Sequence, residues 1–379
     1  MSANKLAKLS LTALCAIACD GAAPQEGLWL ISVSASAPGG IVSSEPAGIS
    51  CGSSCSASFS SGTVLRLTAT PPPGMELAGW QGPCQGSSAT CEFVVTQDAQ
   101  VSVQYQPAVP LSTLIVTKSG TGGGRVKSAS GSLDCGGTCS LKQAAGSQVT
   151  LTAEPEADSI FAGWSGACAG SALTCTVTLG PDLGINAAFG KPQSCTQIPA
   201  SFAQAQSGSY TLFVNGDANK PWTAYCQIGA ATNTYLGLQN VTTGNYSQYT
   251  AGGGRTGTNV RTSFQRLRID PSTLIVDCGD LTFSSSYGQI NHPDGSKTTQ
   301  MAYGSAQDCV STSSSSGVGN VDLSGTPFAI AASAFSVSGY SAQGNASYST
   351  DSRIVNLRGG GFCGGIYAKS GGLQLVYQP

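Results

Sequence analysis

Apolar and polar residues alternate with a period of two along much of the chain. Val64-Leu65-Arg66-Leu67-Thr68-Ala69 and Gln148-Val149-Thr150-Leu151-Thr152-Ala153 place Leu or Val at alternate positions, the pattern of a strand with one buried face. Val101-Ser102-Val103-Gln104-Tyr105 repeats it. Shorter runs further on read the same way: Tyr210-Thr211-Leu212-Phe213-Val214, Leu267-Arg268-Ile269-Asp270, Phe328-Ala329-Ile330 and Leu373-Gln374-Leu375-Val376. Long stretches of helical periodicity are scarce, and 50 glycines among Ser and Thr supply tight turns. The fold is therefore predicted to be mainly β.

The pattern also repeats at long range. Cys51, Cys55, Cys84 and Cys91 map onto Cys135, Cys139, Cys168 and Cys175 with a constant offset of 84 residues. The same offset carries Gly40 onto Gly124, Leu67 onto Leu151, Ala78-Gly79-Trp80 onto Ala162-Gly163-Trp164, Gly82 onto Gly166 and Tyr105 onto Phe189. A register kept without an insertion over that length implies two copies of one folding unit. Each Gly-Trp-x-Gly offers a large aromatic between flexible residues, expected to anchor the core under a turn. Units of this size have small cores, and disulfides worth about 2–4 kcal/mol each would help to hold them. The C-x3-C and C-x6-C spacings also invite zinc, but zinc ribbons favour tighter C-x2-C knuckles and an exported chain favours oxidised thiols. Four cysteines allow three connectivities. The local pairs are the preferred reading: Cys51–Cys55, Cys84–Cys91, Cys135–Cys139 and Cys168–Cys175.

Gly-Ile-x-Cys-Gly-x-x-Cys, a Leu-Thr-Ala strand, Ala-Gly-Trp-x-Gly-x-Cys and a last cysteine together resemble the divergent internalin-B-type repeat of bacterial surface proteins. The resemblance covers residues 28–106 and 111–190. It implies small β-grasp-like modules serving as a stalk or spacer, with no catalytic residues to carry over. Pro107-Ala108-Val109-Pro110 and Gly190-Lys191-Pro192 read as short semi-rigid linkers between modules.

Lys5 and Lys8 ahead of the apolar run Leu9–Ala18 read as a signal peptide over residues 1–18, far too short to span a bilayer. Ala16-Ile17-Ala18-Cys19 resembles a bacterial lipobox, although Leu is commonest where Ala16 stands. The resemblance implies acylation of Cys19 and a membrane tether over residues 19–27. Cys15 fits less well, because the large Leu14 would sit at the cleavage bond. Ordinary cleavage nearby would instead leave a soluble secreted protein.

From Ser194 the repeat is lost. Ordered fragments along residues 194–379 resemble the GON domain, found at the C-terminus of certain secreted animal metalloproteases of the ADAMTS group. They include Ser194-Cys195, Ala224-Tyr225-Cys226, Tyr235-Leu236-x-Leu238, Asn245-Tyr246-Ser247 and Phe264-x-x-Leu267-Arg268-Ile269-Asp270. Asp280-Leu281-x-Phe283-Ser284, Tyr303-Gly304-x-Ala306-x-Asp308-Cys309, Leu323-x-Gly325-Thr326 and Gly360-Gly361-Phe362-Cys363-Gly364 follow. The resemblance implies a larger all-β domain with a Cys195–Cys226 bond. Gly359, Ile366 and the run Ser313–Ser316 replace family cysteines. Cys309 and Cys363 stand as half-cystine candidates beside Cys278, which competes for the same bond.

Composition narrows the chemistry. Charged residues are 9 % of the chain and the formal net charge is −2, which gives no basis for binding nucleic acid. The single histidine, His292, sits in the turn-like Asn291-His292-Pro293-Asp294-Gly295. The GON resemblance carries an association with zinc metalloendopeptidases, but their H-E-x-x-H motif is absent, so no catalytic residue is transferred. Gly252-Gly253-Gly254 and Gly359-Gly360-Gly361 lack the Lys-Ser/Thr of a phosphate loop. Asp270, Asp277, Asp280 and Asp308 could pair for acid–base work or gather Ca²⁺, or simply cap turns. Trp222, Tyr225, Tyr235, Tyr246, Tyr249 and Tyr287 suit contact with a protein or glycan, although core packing is their commoner use. Two functions follow: a lipid-anchored cell-envelope binding or adhesion protein, without catalytic or metal residues of its own, or an accessory of an extracellular metalloprotease.

Overall fold

The computed structural model describes residues 27–52, 54–136, 139–369 and 371–379, without the side chains of Cys51 and Ser54. The expected signal peptide, Cys15 and Cys19 lie outside the described residues. Two compact units emerge, one ending at Pro110 and the other running from Leu111 to Pro379.

The first repeat runs β1 (Leu28–Ala35), β2 (Ile41–Glu45), β3 (Ser50–Cys51), β4 (Ser54–Ser60), β5 (Val64–Thr70), β6 (Met75–Gln81), β7 (Thr90–Val94) and β8 (Ala99–Pro107). These form two four-stranded sheets ordered β4-β1-β8-β6 and β3-β2-β5-β7. Inner-face residues, among them Ile31, Val33, Leu65, Leu67, Val101 and Val103, make one core between the sheets. The predicted alternation is real in β5, where Leu65, Leu67 and Ala69 point inward and Val64 and Arg66 outward. The first and last strands pair in parallel, the grasp-like trait, and the second layer is another sheet.

The second repeat has the same order: β9 (Leu111–Ser119), β10 (Gly124–Ser128), β11 (Asp134–Cys135), β12 (Cys139–Ala144), β13 (Gln148–Pro155), β14 (Ile160–Gly166), β15 (Thr174–Thr178) and β16 (Leu183–Gly190). Its sheets are β12-β9-β16-β14 and β11-β10-β13-β15.

Packing explains the matched residues. Gly40 lies so close under the Tyr105 ring that a Cβ would come within 2.5 Å of it, and Gly124 lies likewise under Phe189. Trp80 and Trp164 sit on strands, after bulges at Leu77/Gly79 and Phe161/Gly163, and not under a turn as the sequence suggested. Each ring is buried, and its Nε1–H donates to a loop carbonyl, Ser88 O at 2.7 Å and Ala172 O at 2.8 Å. The first strand departs from the 84-residue offset. Val33 faces Cys55 and Val101, whereas Val116 faces Cys139 and Ile185, an offset of 83. One extra residue between Val116 and Gly124, relative to Val33 and Gly40, absorbs the difference. Without it the whole strand would turn its apolar side outward.

Disulfides join Cys84 to Cys91, Cys135 to Cys139 and Cys168 to Cys175. Cys135 on β11 and Cys139 on β12 belong to different sheets, so that bond staples the sandwich across its layers. Cys55 is also disulfide-bonded; the side chain of Cys51 lies outside the described ones.

The rest of the second unit begins with α1 (Gln197–Ser201) and two larger sheets. Gly190-Lys191-Pro192 does not act as a spacer. Lys191 Nζ donates to Asp158 O at 3.1 Å and lies 5.0 Å over the Phe213 ring. The Phe161 N–H donates to Ser201 Oγ at 3.2 Å, which ties β14 to α1. A seven-stranded sheet runs in the order Gly208–Phe213, Pro221–Gln227, Asn233–Gly237, Arg266–Asp270, Ile275–Val276, Leu373–Tyr377, Phe328–Ile330. Its inner face packs Leu212, Trp222, Leu236, Leu267 and Leu375 into the main core.

The second large sheet is barrel-like. Strand Tyr246–Thr250 pairs through Tyr246 and Ser247 with Gly317–Asp322, and through Gln248 to Thr250 with Ser305–Asp308. The sheet therefore forks, and its branches curl toward each other. Side chains have no room where the branches meet. A Cβ on Gly359 would run into Ala306 O, and one on Gly317 into Gln307 O. The glycine run at 359–361 is thus a packing device.

Candidate functional site

Two openings lie along the seven-stranded sheet. Strand Asn233–Gly237 turns Leu236 into the core and presents Tyr235 and Gly237 on the other side. Tyr235 is covered by Phe283, with ring centroids 4.8 Å apart in an edge-on contact. Next to it Tyr225 meets the same phenylalanine edge-on at 5.5 Å. Arg266, the strand partner of Gly237, lays its guanidinium over both rings, 3.7 Å from the Tyr225 centroid and 4.7 Å from that of Phe283. Gly237 carries no side chain to fill the row, which leaves a cleft of about 520 Å³. Ser209, Thr223, Tyr225, Gln239 and Arg266 are among its walls.

A larger groove of about 990 Å³ lies on the same sheet toward Arg268 and Asp270. Arg268 Nη1 is 3.6 Å from Asp280 Oδ2 and 4.0 Å from Asp277 Oδ2. Tyr235 OH donates to Asp280 Oδ2 at 3.4 Å. Asp270 accepts from Ser272 Oγ at 2.6 Å and Ser272 N at 2.8 Å, which holds its carboxyl below the usual range.

Cys278 lines this groove and is the free cysteine among the described residues, because Cys309 pairs with Cys363 and Cys195 with Cys226. Burial pushes its thiol from an ordinary 9.0 up to about 12. The folded thiol keeps its proton where the unfolded one loses it. This contribution to stability is complete below pH 9 and fades as pH rises toward 12. Iodoacetamide at pH 8 is expected to alkylate Cys278 far more slowly in the folded protein than in urea, because the raised pKa keeps the thiol protonated. Rapid alkylation of the native protein would contradict this burial.

The second large, barrel-like sheet holds a different polar cluster. Asp308 is fully buried and accepts from Ser316 N at 2.6 Å, Ser314 Oγ at 2.8 Å and Ser316 Oγ at 2.9 Å. It organises the serine loop that follows the Cys309–Cys363 bond. Tyr249 OH lies 2.8 Å from Cys309 Sγ.

Residues 41–109 and 114–193 match the divergent InlB B-repeat domain, and residues 253–377 match the GON domain. The chain carries two InlB-type repeats and a GON domain. No curated protein matches it. The GON match begins at Gly253, yet Asn233–Gly237 hydrogen-bonds directly to Arg266–Asp270, so the preceding strands complete the same sheet. Domains of these kinds, stapled by disulfides, are consistent with an extracellular adhesion-type protein.

Within and beside the GON domain the four candidate carboxylates do not converge. Asp277 and Asp280 face Arg268, Asp270 caps its own turn, and Asp308 is buried in the other sheet. Among the described residues no group of three His, Cys, Asp or Glu side chains is placed to hold a metal ion. His292 ends a short strand pair, with Nε2 2.7 Å from Thr298 Oγ1. Of the candidate aromatics, Trp222, Tyr235 and Tyr249 are buried, Tyr225 and Tyr246 are half-covered by Arg266 and Arg261, and Tyr287 is exposed. Sequence reasoning passed over Arg266, Gln239 and Gly237. The one available signal was a glycine inside a strand pattern.

Proposed function

We propose that the chain is an exported cell-envelope binding protein, tethered through acylated Cys19, with the InlB-type repeats as stalk and the GON domain as recognition head. The observation that carries this reading is the position of the 990 Å³ groove and the arginine-walled cleft, both along the seven-stranded sheet. The head is read as non-catalytic. Its candidate acids and its histidine are tied up in turns, ion pairs and loop support.

The test uses the purified full chain on a glycan and matrix-protein array. Chelator-resistant binding to at least one arrayed ligand is the expected result, together with an acyl mass on a peptide beginning at Cys19. Absence of any binding, or peptide-library cleavage abolished by a chelator, would overturn the reading.

A further inference from the structure

We infer that the cleft over Gly237 is a binding site for an anionic saccharide whose carboxylate or sulfate seats on Arg266. This rests on the recognition-head reading and names the ligand class of that head.

Gly237 itself is the first argument. It stands in a strand, where glycine is intrinsically unfavourable. Its backbone does not need a positive φ, and a Cβ there would meet nothing within 4 Å. Folding therefore gives no reason for a glycine. Gly237 closes its strand, and a missing side chain there leaves the backbone and the Arg266 side chain beside it open to an approaching ligand.

The walls supply the chemistry. Arg266 is fixed by the Tyr225 and Phe283 faces, and among the described residues it has neither a carboxylate within ion-pair range nor a hydrogen-bond acceptor. Its N–H fork stays available for an oxyanion. No Asp or Glu lines the cleft. The side chains of Ser209, Thr223, Gln239 and Gln265 also line it, and none makes a hydrogen bond within the described residues. Hydroxyl and amide groups of this kind match sugar hydroxyls.

An acidic peptide fits less well. Peptides that add to sheets need a free strand edge. The strand forming the floor, Asn233–Gly237, is hydrogen-bonded on both sides, to Pro221–Gln227 and to Arg266–Asp270.

The test measures binding of the full chain to tetragalacturonate, its methyl ester, a sulfated galactan oligosaccharide and hexaglutamate. One or both anionic saccharides are expected to bind, with the methyl ester and hexaglutamate about tenfold weaker or worse. Arg266→Gln is expected to weaken saccharide binding by about tenfold. Gly237→Val is expected to abolish it while leaving Tm unchanged or higher. That separates a filled cleft from a damaged fold. Uronate against sulfate preference identifies the source of the oxyanion. Undiminished binding by Gly237→Val, binding of neither saccharide, or equal binding of hexaglutamate would overturn the inference. Array ligands that bind wild type and both variants alike would overturn the cleft alone and leave the recognition-head reading standing.

Discussion

Replacing Gly359 by valine is expected to destabilise the C-terminal unit by about 3 kcal/mol or more, the upper end for overpacking a closed interior. The added Cβ would run into Ala306 O and come within 2.7 Å of Ile366 N. Neither obstacle is the tip of a flexible side chain. Both belong to the backbone ladder between Ser305–Asp308 and Gly364–Ala368, which is held by its own register. Relief would require peeling that ladder away from Ile354–Gly360. Thermal denaturation should show Tm lower by roughly 6 °C or more. The same substitution at Gly237 provides an internal control, since that Cβ meets nothing. An unchanged Tm for Gly359→Val would mean that the two branches of the sheet do not press together there.

The double variant Cys195→Ala/Cys226→Ala should lose a comparable amount, about 3–4 kcal/mol for a loop of this length. The bond closes a sequence separation of 31 residues, and both half-cystines are fully buried in the main core. It pins the turn that starts α1 to strand Pro221–Gln227. Helix α1 in turn contributes Ile198 to the core and Ser201 to the contact with Phe161. A five-residue helix has little stability of its own, so it depends on this attachment. Urea denaturation should give a lower midpoint for the double variant. A midpoint equal to that of wild type would mean that core packing alone holds the turn.

The repeats were legible because their constraints are local and duplicated. The Cys quartets, the paired Trp residues and the glycines under Tyr105 and Phe189 each satisfy a contact within one unit, so they recur at a fixed offset. The first strand escaped that register because its hydrophobic pattern can slip by one residue when a loop absorbs the change. Gly-Trp-x-Gly looked like a turn because the bulge that lets Trp80 sit on a strand is set by β8, which follows some twenty residues later.

The C-terminal part was legible as strands and not as a site. Its glycine run could be denied a phosphate role, but the close approach that explains it comes from residues around 306, far away in sequence. Competition among Cys278, Cys309 and Cys363 could not be resolved from spacing. It is decided by which strands neighbour each other. Asp308 looked like any solvated turn acid because its serine donors only surround it once the loop closes. Gly237 looked like any strand irregularity until the emptiness above it could be seen.

The junction between β14 and α1 bears on how such chains can be rearranged. A recombination event that joined a new head at residue 194 would separate Lys191 from Phe213 and Phe161 from Ser201. A cut between Pro110 and Leu111 would part the two units and leave those partners together. A head exchanged alone would therefore expose a half-made seam, whereas the second repeat and head exchanged together would keep it whole.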